Sequence, residues 1–172
     1  HKHWSPFEHA SMTLEINTSK AIGIQLIRHR SFTFQEFSQR YQDVNLLENM
    51  FEPIELRKQA EDNRQSSTEE FDPMIQMEST AKASEVIQSF LGKTQSIYNK
   101  LLDAGVARET ARMILPLCTG TKIYMTGTLR SWIHFFELRD DGHAQKEIQE
   151  LAKEGKEIFK KQFPILSKAL NY

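Results

Sequence analysis

Apolar and polar residues alternate through Ser11-Met12-Thr13-Leu14-Glu15-Ile16, the period of a short strand with one buried face. Thr18 or Ser19 is placed to cap a short helix through Ala21, Ile22, Ile24, Gln25, Leu26 and Ile27. That helix delivers Arg28-His29-Arg30, and a polar-aromatic stretch follows from Ser31 to Tyr41. Residues 61–80 carry Asn63, Arg64, Gln65, Ser66, Ser67, Thr68, Asp72 and Pro73, which predicts a long loop. A loop of that length in a compact domain is more often functional or flexible than idle. The strongest helical period spans 81–102, with Val86, Phe90, Ile97 and Leu101 on one face and Ile87, Leu91, Tyr98 and Leu102 beside them. Gly105 is its expected stop. A short helix over about 107–114 ends before Pro116, Lys122–Thr126 reads as a strand, and Leu129–Leu138 reads as a buried helix. Asp141 is the expected N-cap of a long helix from His143 to about Phe163, which Pro164 ends or kinks. The pattern predicts an α+β fold, several helices against a small sheet, with no internal repeat.

Composition narrows the function classes. The chain has 172 residues, a length that predicts one domain over 1–172. With 39% hydrophobic and 26% charged residues it has the balance of a soluble globular protein. The 22 basic and 23 acidic side chains nearly cancel, so the overall field argues against nucleic acid or an anionic membrane as a partner. Any anion site must come from local clustering. The single Cys118 excludes an internal disulfide framework and a Cys-rich zinc site, and fits a reducing cytoplasm. No apolar run approaches the roughly 20 residues of a membrane span, and no signal peptide is evident. The first residue is His1 rather than Met, so a missing N-terminal piece is expected.

Three clusters are candidates for chemistry. Arg28-His29-Arg30 reads either as a solvated helix end whose cations meet the C-terminal dipole, or as half of a phosphate cradle. Glu36, Ser38, Arg40 and Tyr41 follow within a dozen residues and favour the cradle, since Arg forks and Ser hydroxyls suit phosphate. Arg112, Arg130 and Arg139 form the second cluster. Arg130 and Arg139 are about 2.5 turns apart and share no face closely. A surface ion pair of Arg139 with Asp140 or Asp141 is one reading, and Arg112 beside the apolar Met113-Ile114-Leu115 needs a partner. In the third, His1, His3, Glu8 and His9 contain the donor types for a metal, but a turn with a buried aromatic and a Glu-His hydrogen bond is the favoured reading, and no metal is predicted. There is no Gly-rich dinucleotide fingerprint, Walker loop or Gly-x-Ser-x-Gly elbow. Cys118, between Leu117 and Thr119, reads as a small packing residue rather than an activated nucleophile.

Taken together, these segments resemble the flavin-dependent thymidylate synthases. Arg28–Tyr41 reads R-H-R-S-F-T-F-Q-E-F-S-Q-R-Y, similar to the family pattern R-H-R-x-x-S-x-N-E-x-S-x-R-Y. Thr33 stands where Ser is usual, and Gln35 where Asn is. His3–His9 resembles the H-x-S-P-x-E-H turn, and Gln25 precedes Arg28 as in Q-x-x-R. Arg108–Leu117 is similar to R-E-x-A-R-x-x-L-P. Thr126–Ser131 resembles T-G-N-L-R-S, with Thr128 in place of Asn. Leu138-Arg139 and His143–Ile148 complete the series, with Lys146 where Trp is usual.

The resemblance implies a small antiparallel sheet packed with several helices, in a single domain lacking the family's N-terminal segment. It implies reductive methylation of dUMP to dTMP, a methyltransferase reaction with methylenetetrahydrofolate as carbon donor and FAD, reduced by NADPH, as hydride source. It also implies a homotetramer whose sites are built from several subunits. By motif, Arg28, His29 and Arg30 hold FAD, and Ser5, Glu36, Thr128, Leu129, Arg130 and His134 line the flavin site. Gln25, Arg28, Glu36, Phe37, Ser38, Gln39, Arg40, Arg112 and Arg139 line the dUMP site. Arg139 is the catalytic residue, placed against the uracil to favour loss of its N3 proton. The alternative is a catalytically silent nucleotide- or flavin-binding domain on the same scaffold.

Overall fold

A computed structural model describes residues 3–172. Strand β1 (Ser11–Ser19) buries Met12, Leu14 and Ile16 and exposes the residues between them, as the alternation predicts. Helix α1 (Lys20–Leu26) follows, and Ser19 Oγ accepts from Ile22 N at 3.4 Å as its cap. Strand β2 (Phe32–Glu36) occupies the polar-aromatic stretch. Strand β7 (Gly120–Thr128) lies between β1 and β2 in a three-stranded sheet of order β1-β7-β2. Leu129 N donates to Ala10 O and Thr13 Oγ1 bonds Thr126 Oγ1, while Lys20 N donates to Thr119 O. Residue numbers thus rise on one strand as they fall on the other, which makes β1 and β7 antiparallel. Thr33 Oγ1 to Thr126 O and Phe37 N to Lys122 O give β2 and β7 the same relation.

The chain divides into two compact units. The first comprises the described residues of His1–Ile16, Ile24–Gln35 and Tyr124–Tyr172. Its core gathers Leu14, Leu26, Phe32 and Met125 with Trp132, Phe135 and Phe136 of α4 (Leu129–Arg139) and Ile148, Ala152 and Phe159 of α5 (Lys146–Gln162). Trp132 stacks on Phe136 at 5.6 Å, and its buried indole N–H donates to Met12 O at 2.9 Å. Helix α6 (Pro164–Leu170) starts at Pro164, where Pro is well suited to the first turn.

The long helix α5 begins later than its sequence suggests. Asp141 Oδ1 accepts from His143 N at 2.8 Å in a local turn, and Gln145 becomes the N-cap.

The second unit comprises Asn17–Gly23 and Glu36–Ile123. Val44, Tyr98 and Ala111 form its buried cluster, with Phe37, Leu101, Leu102 and Leu115 packed around them. Helix α2 (Ala83–Asp103) ends as Gly105 predicts, with φ +83° at that residue. Gly105 N bonds Leu102 O and Val106 N bonds Leu101 O, the paired closing bonds of a Schellman motif. Its packing differs from expectation, because Phe90 and Ile97 are about half exposed while Thr94 and Tyr98 are buried. Helix α3 (Arg108–Ala111) runs into a 3-10 turn over Arg112–Ile114.

Residues 61–80 are not one long loop. Strand β3 (Arg57–Gln59) pairs antiparallel with β4 (Ser67–Glu70), and β5 (Met74–Gln76) pairs antiparallel with β6 (Thr80–Lys82). Every residue of β4 is exposed, so no alternation of burial marks it in the sequence.

Candidate functional site

In the first unit the turn between α1 and β2 is pinned at both ends by buried side chains, Leu26 and Phe32. His29 N donates to Leu26 O at 3.0 Å, and His29 O accepts from Phe32 N at 3.1 Å. The three residues of the Arg28-His29-Arg30 cluster therefore have different surroundings. Arg28 and Arg30 are exposed, and neither has an ion-pair partner among the described residues. His29 is partly buried, edge-on to Phe135 at 5.0 Å and to Phe32 at 6.3 Å. Its Nε2 accepts from Arg139 Nε at 2.9 Å. Burial, then the charge of Arg139, then His134 push its pKa down to about 4. His29 is thus a neutral acceptor near pH 7.

Helix α4 carries the remaining candidates of this unit. Thr128 caps it, its Oγ1 accepting from Ser131 N at 3.2 Å, and Ser131 Oγ donates to Ser31 O at 3.3 Å. Leu129 is buried in the core. Arg130 pairs with Glu8 from the 3-10 turn Ser5–Glu8, whose Trp4 and Phe7 pack edge to face at 6.0 Å. A cleft of about 840 Å³ opens here, lined by Trp4, Glu8, Ser31, Arg130, Ser131 and His134, with Thr128, Ile133 and Glu137 completing it. Ser5 is exposed and is not among the lining side chains.

The sequence motifs give no ligand-binding role to Trp4, Ser31, Ser131 or Glu137, and Glu8, expected to bond a His in its own turn, pairs with Arg130 instead. A signal for Glu137 existed: Arg130, His134 and Glu137 are spaced four and three apart, on one polar face of a helix that buries Leu129, Trp132, Ile133, Phe135 and Phe136.

Arg139 does not pair with the acids that follow it. Asp140 binds Lys156 at 3.0 Å and Asp141 binds His143 at 2.7 Å. Among the described residues Arg139 has no carboxylate partner, and its bond is to a neutral imidazole. Gln25, also in this unit, donates to Gln145 Oε1 at 2.6 Å. Of the His cluster at the chain start, His1 lies outside the described residues; among those described, no group of three or more His, Cys, Asp or Glu could hold a metal ion.

The second unit holds the other candidates. Glu36 Oε1 accepts from Lys20 Nζ at 2.7 Å and from Thr121 Oγ1 at 2.8 Å. Phe37 packs on the Val44–Tyr98–Ala111 cluster. Ser38 O accepts from the backbone N–H groups of Tyr41 and Gln42, forming a turn. Gln39 is buried, and its Nε2 has no hydrogen-bond partner among the described residues. Arg40 and Arg112 converge on one residue: Arg40 Nη2 meets Glu109 Oε2 at 3.2 Å, and Arg112 Nε meets Glu109 O at 3.4 Å. The partner that Arg112 requires is therefore partly a backbone carbonyl. A separate cleft of about 360 Å³ in this unit is lined by Asn17, Phe37, Glu48, Glu52, Thr121 and Lys122 among others. Cys118 lies in the same unit, and burial raises the pKa of its thiol.

Comparison with known proteins bears on this arrangement. The family described as "Thymidylate synthase complementing protein" matches residues 1–165. A "Probable flavin-dependent thymidylate synthase" of Paramecium bursaria Chlorella virus 1 is 48% identical over 172 residues, covering 100% of this chain and 76% of that protein. A "Flavin-dependent thymidylate synthase" of Synechocystis is 46% identical over 171 residues, covering 99% and 75%. Among solved structures, a UMP/dUMP methylase PolB from Streptomyces cacaoi, bound with 5-Br dUMP, superposes with a TM-score of 0.73. It is 28% identical, and the match covers 99% of this chain and 74% of that one. Match and motifs agree along nearly the whole sequence, and the chain belongs to the flavin-dependent thymidylate synthase family.

Proposed function

We propose that this chain methylates dUMP to dTMP reductively, with FAD as resident cofactor, methylenetetrahydrofolate as carbon donor and NADPH as reductant. The observation that carries the reading is the set of cations left without carboxylates in the first unit. Among the described residues Arg28 and Arg30 are exposed without an ion-pair partner, and Arg139 bonds neutral His29 and no carboxylate. Permanent cations without anions on the protein suit anionic ligands.

The residues present fit a flavin dinucleotide. Arg28 and Arg30 suit its diphosphate. The cleft offers an aromatic wall in Trp4, hydroxyls in Ser31, Thr128 and Ser131, and donors in Arg130 and His134. When bound, the flavin supplies hydride chemistry that no side chain provides. The protein's own part is position and field. Thr128 and Ser131 fix the start of α4, and that helix sets Arg130, His134 and Arg139 along its length. Arg139 holds a cation where it stabilises an anion developing on the pyrimidine, which lowers the pKa of the uracil N3–H. Ser38, Gln39, Arg40 and Arg112 are assigned to dUMP. Gln39 Nε2, buried and without a hydrogen-bond partner among the described residues, supports that assignment.

A homotetramer working in the cytoplasm completes the reading. Phe90 and Ile97 on α2, with Met113 and Leu117 beyond it, are 52–77% exposed, as expected of side chains that a second copy covers.

The test is the double variant Arg28→Ala, Arg30→Ala. Neither side chain supports the fold, so the variant is expected to fold, to purify colourless and to form no dTMP from dUMP. Wild-type flavin content in a folded double variant refutes the assignment.

A further inference from the structure

We propose that His29 is the positioning residue of Arg139, a neutral imidazole that holds the guanidinium through Nε and leaves its two terminal nitrogens for the nucleotide. The proposal rests on the reading above, in which Arg139 faces the pyrimidine.

The geometry comes first. Arg139 Nε donates to His29 Nε2 at 2.9 Å, and among the described residues no carboxylate competes for the fork. The two nearest acids in sequence are already engaged, Asp140 by Lys156 and Asp141 by His143. His29 itself is fixed in three ways. Its backbone closes the turn between Leu26 and Phe32, and its ring lies edge-on to Phe135 and Phe32.

The choice of a neutral partner has a physical consequence. A carboxylate would orient Arg139 equally well but would cancel much of its charge. An imidazole acceptor orients the guanidinium and leaves the full cation to act on a developing anion. The surroundings keep the ring in that form. Burial, the charge of Arg139 and the neighbouring His134 disfavour a second proton, while the elements packed on it present Phe32 and Phe135. Because Nε2 accepts, Nδ1 must carry the proton, so one tautomer is selected.

The experiment compares His29→Phe, His29→Gln, Arg139→Ala and the double variant His29→Phe, Arg139→Ala. Phe keeps the ring shape without an acceptor, and Gln places an acceptor oxygen near the position of Nε2. Steady-state dTMP formation, flavin absorbance and nitrogen-15 NMR of the His29 imidazole are read for each. His29→Phe is expected to lose about tenfold to a hundredfold in kcat per flavin bound, the scale of a misplaced catalytic group. His29→Gln is expected to regain most of that loss. The double variant is expected to be no slower than Arg139→Ala alone, because His29 acts through Arg139. NMR of wild type at pH 7 is expected to show a proton on Nδ1 and none on Nε2, and in Arg139→Ala the titration of His29 moves upward.

Multiplying losses in the double variant, His29→Gln no better than His29→Phe, or a doubly protonated ring at pH 7 each overturn the proposal. If Arg139→Ala is impaired and His29→Phe is not, positioning alone fails. If Arg139→Ala turns over at the wild-type rate, the role of Arg139 at the nucleotide fails and the proposal falls with it.

Discussion

Gly127 stands in the Thr126–Ser131 motif, and its lack of a side chain is a steric requirement of the first unit. A Cβ built there lies 2.4 Å from Phe32 Cδ1 and 2.5 Å from Cε1. Carbon atoms in contact prefer about 3.5–4.0 Å, so in Gly127→Ala the ring must retreat by roughly 1 Å or more. It has little room to do so. Phe32 is 7% exposed, with Trp132 at 4.9 Å, Phe135 at 6.1 Å and His29 at 6.3 Å between ring centroids. Overpacking of this kind costs about 1–3 kcal/mol. At roughly 2–4 °C per kcal/mol for a chain of this size, the Tm falls by about 2–12 °C. The assay is thermal unfolding followed by circular dichroism at pH 7. Phe32→Leu replaces the rigid ring with a smaller side chain that can turn away from the new Cβ, so the pair Gly127→Ala, Phe32→Leu should be more stable than the sum of the single effects gives, by about 0.5 kcal/mol or more. Gly92→Ala is the contrasting control: nothing lies within 4 Å of its Cβ position in α2, and Ala there should stabilise by about 0.5–1 kcal/mol. Gly127→Ala melting with the wild type, or strict additivity with Phe32→Leu, would refute the packing argument.

Other predictions follow from the charged and reactive groups. Arg139→Ala should keep its flavin spectrum and lose dTMP formation by on the order of a hundredfold or more, the scale of removing a donor to a developing anion, as single-turnover assays can measure. Cys118→Ala should form dTMP at near the wild-type rate, and alkylating reagents should react slowly at pH 7, because burial raises the thiol pKa and leaves little thiolate. His29 should make the fold acid-sensitive. Its folded pKa of about 4 lies below the ordinary 6.5, so the unfolded chain binds the extra proton first. The His29 contribution to stability is therefore complete above about pH 6.5 and is lost progressively as pH falls toward 4, and denaturant titrations across that range should show a flatter profile in His29→Phe.

Local chemistry was legible in the sequence by itself. Alternation placed β1, Ser19 marked the start of α1, and Gly105 marked the end of α2, because each signal acts within a few residues of chain. The family motifs likewise pointed to the family itself. Elements whose stability comes from elsewhere were not legible. The hairpins over residues 57–82 carry mostly exposed strands, so burial imposed no period on them. The start of α5 depended on a competition that Asp141 resolved in favour of its own turn with His143. The sequence could also name charged residues without saying what each would meet. His29 and Arg139 are 110 positions apart, and Glu36 and Thr121 are 85 apart. Arg139 has two acids beside it in sequence, yet bonds an imidazole that the turn after α1 delivers. Such pairings are set when the sheet and the core close, since only then do distant backbones fix which side chains come within hydrogen-bond reach. The tertiary structure alone therefore decided which cations meet a carboxylate among the described residues and which do not.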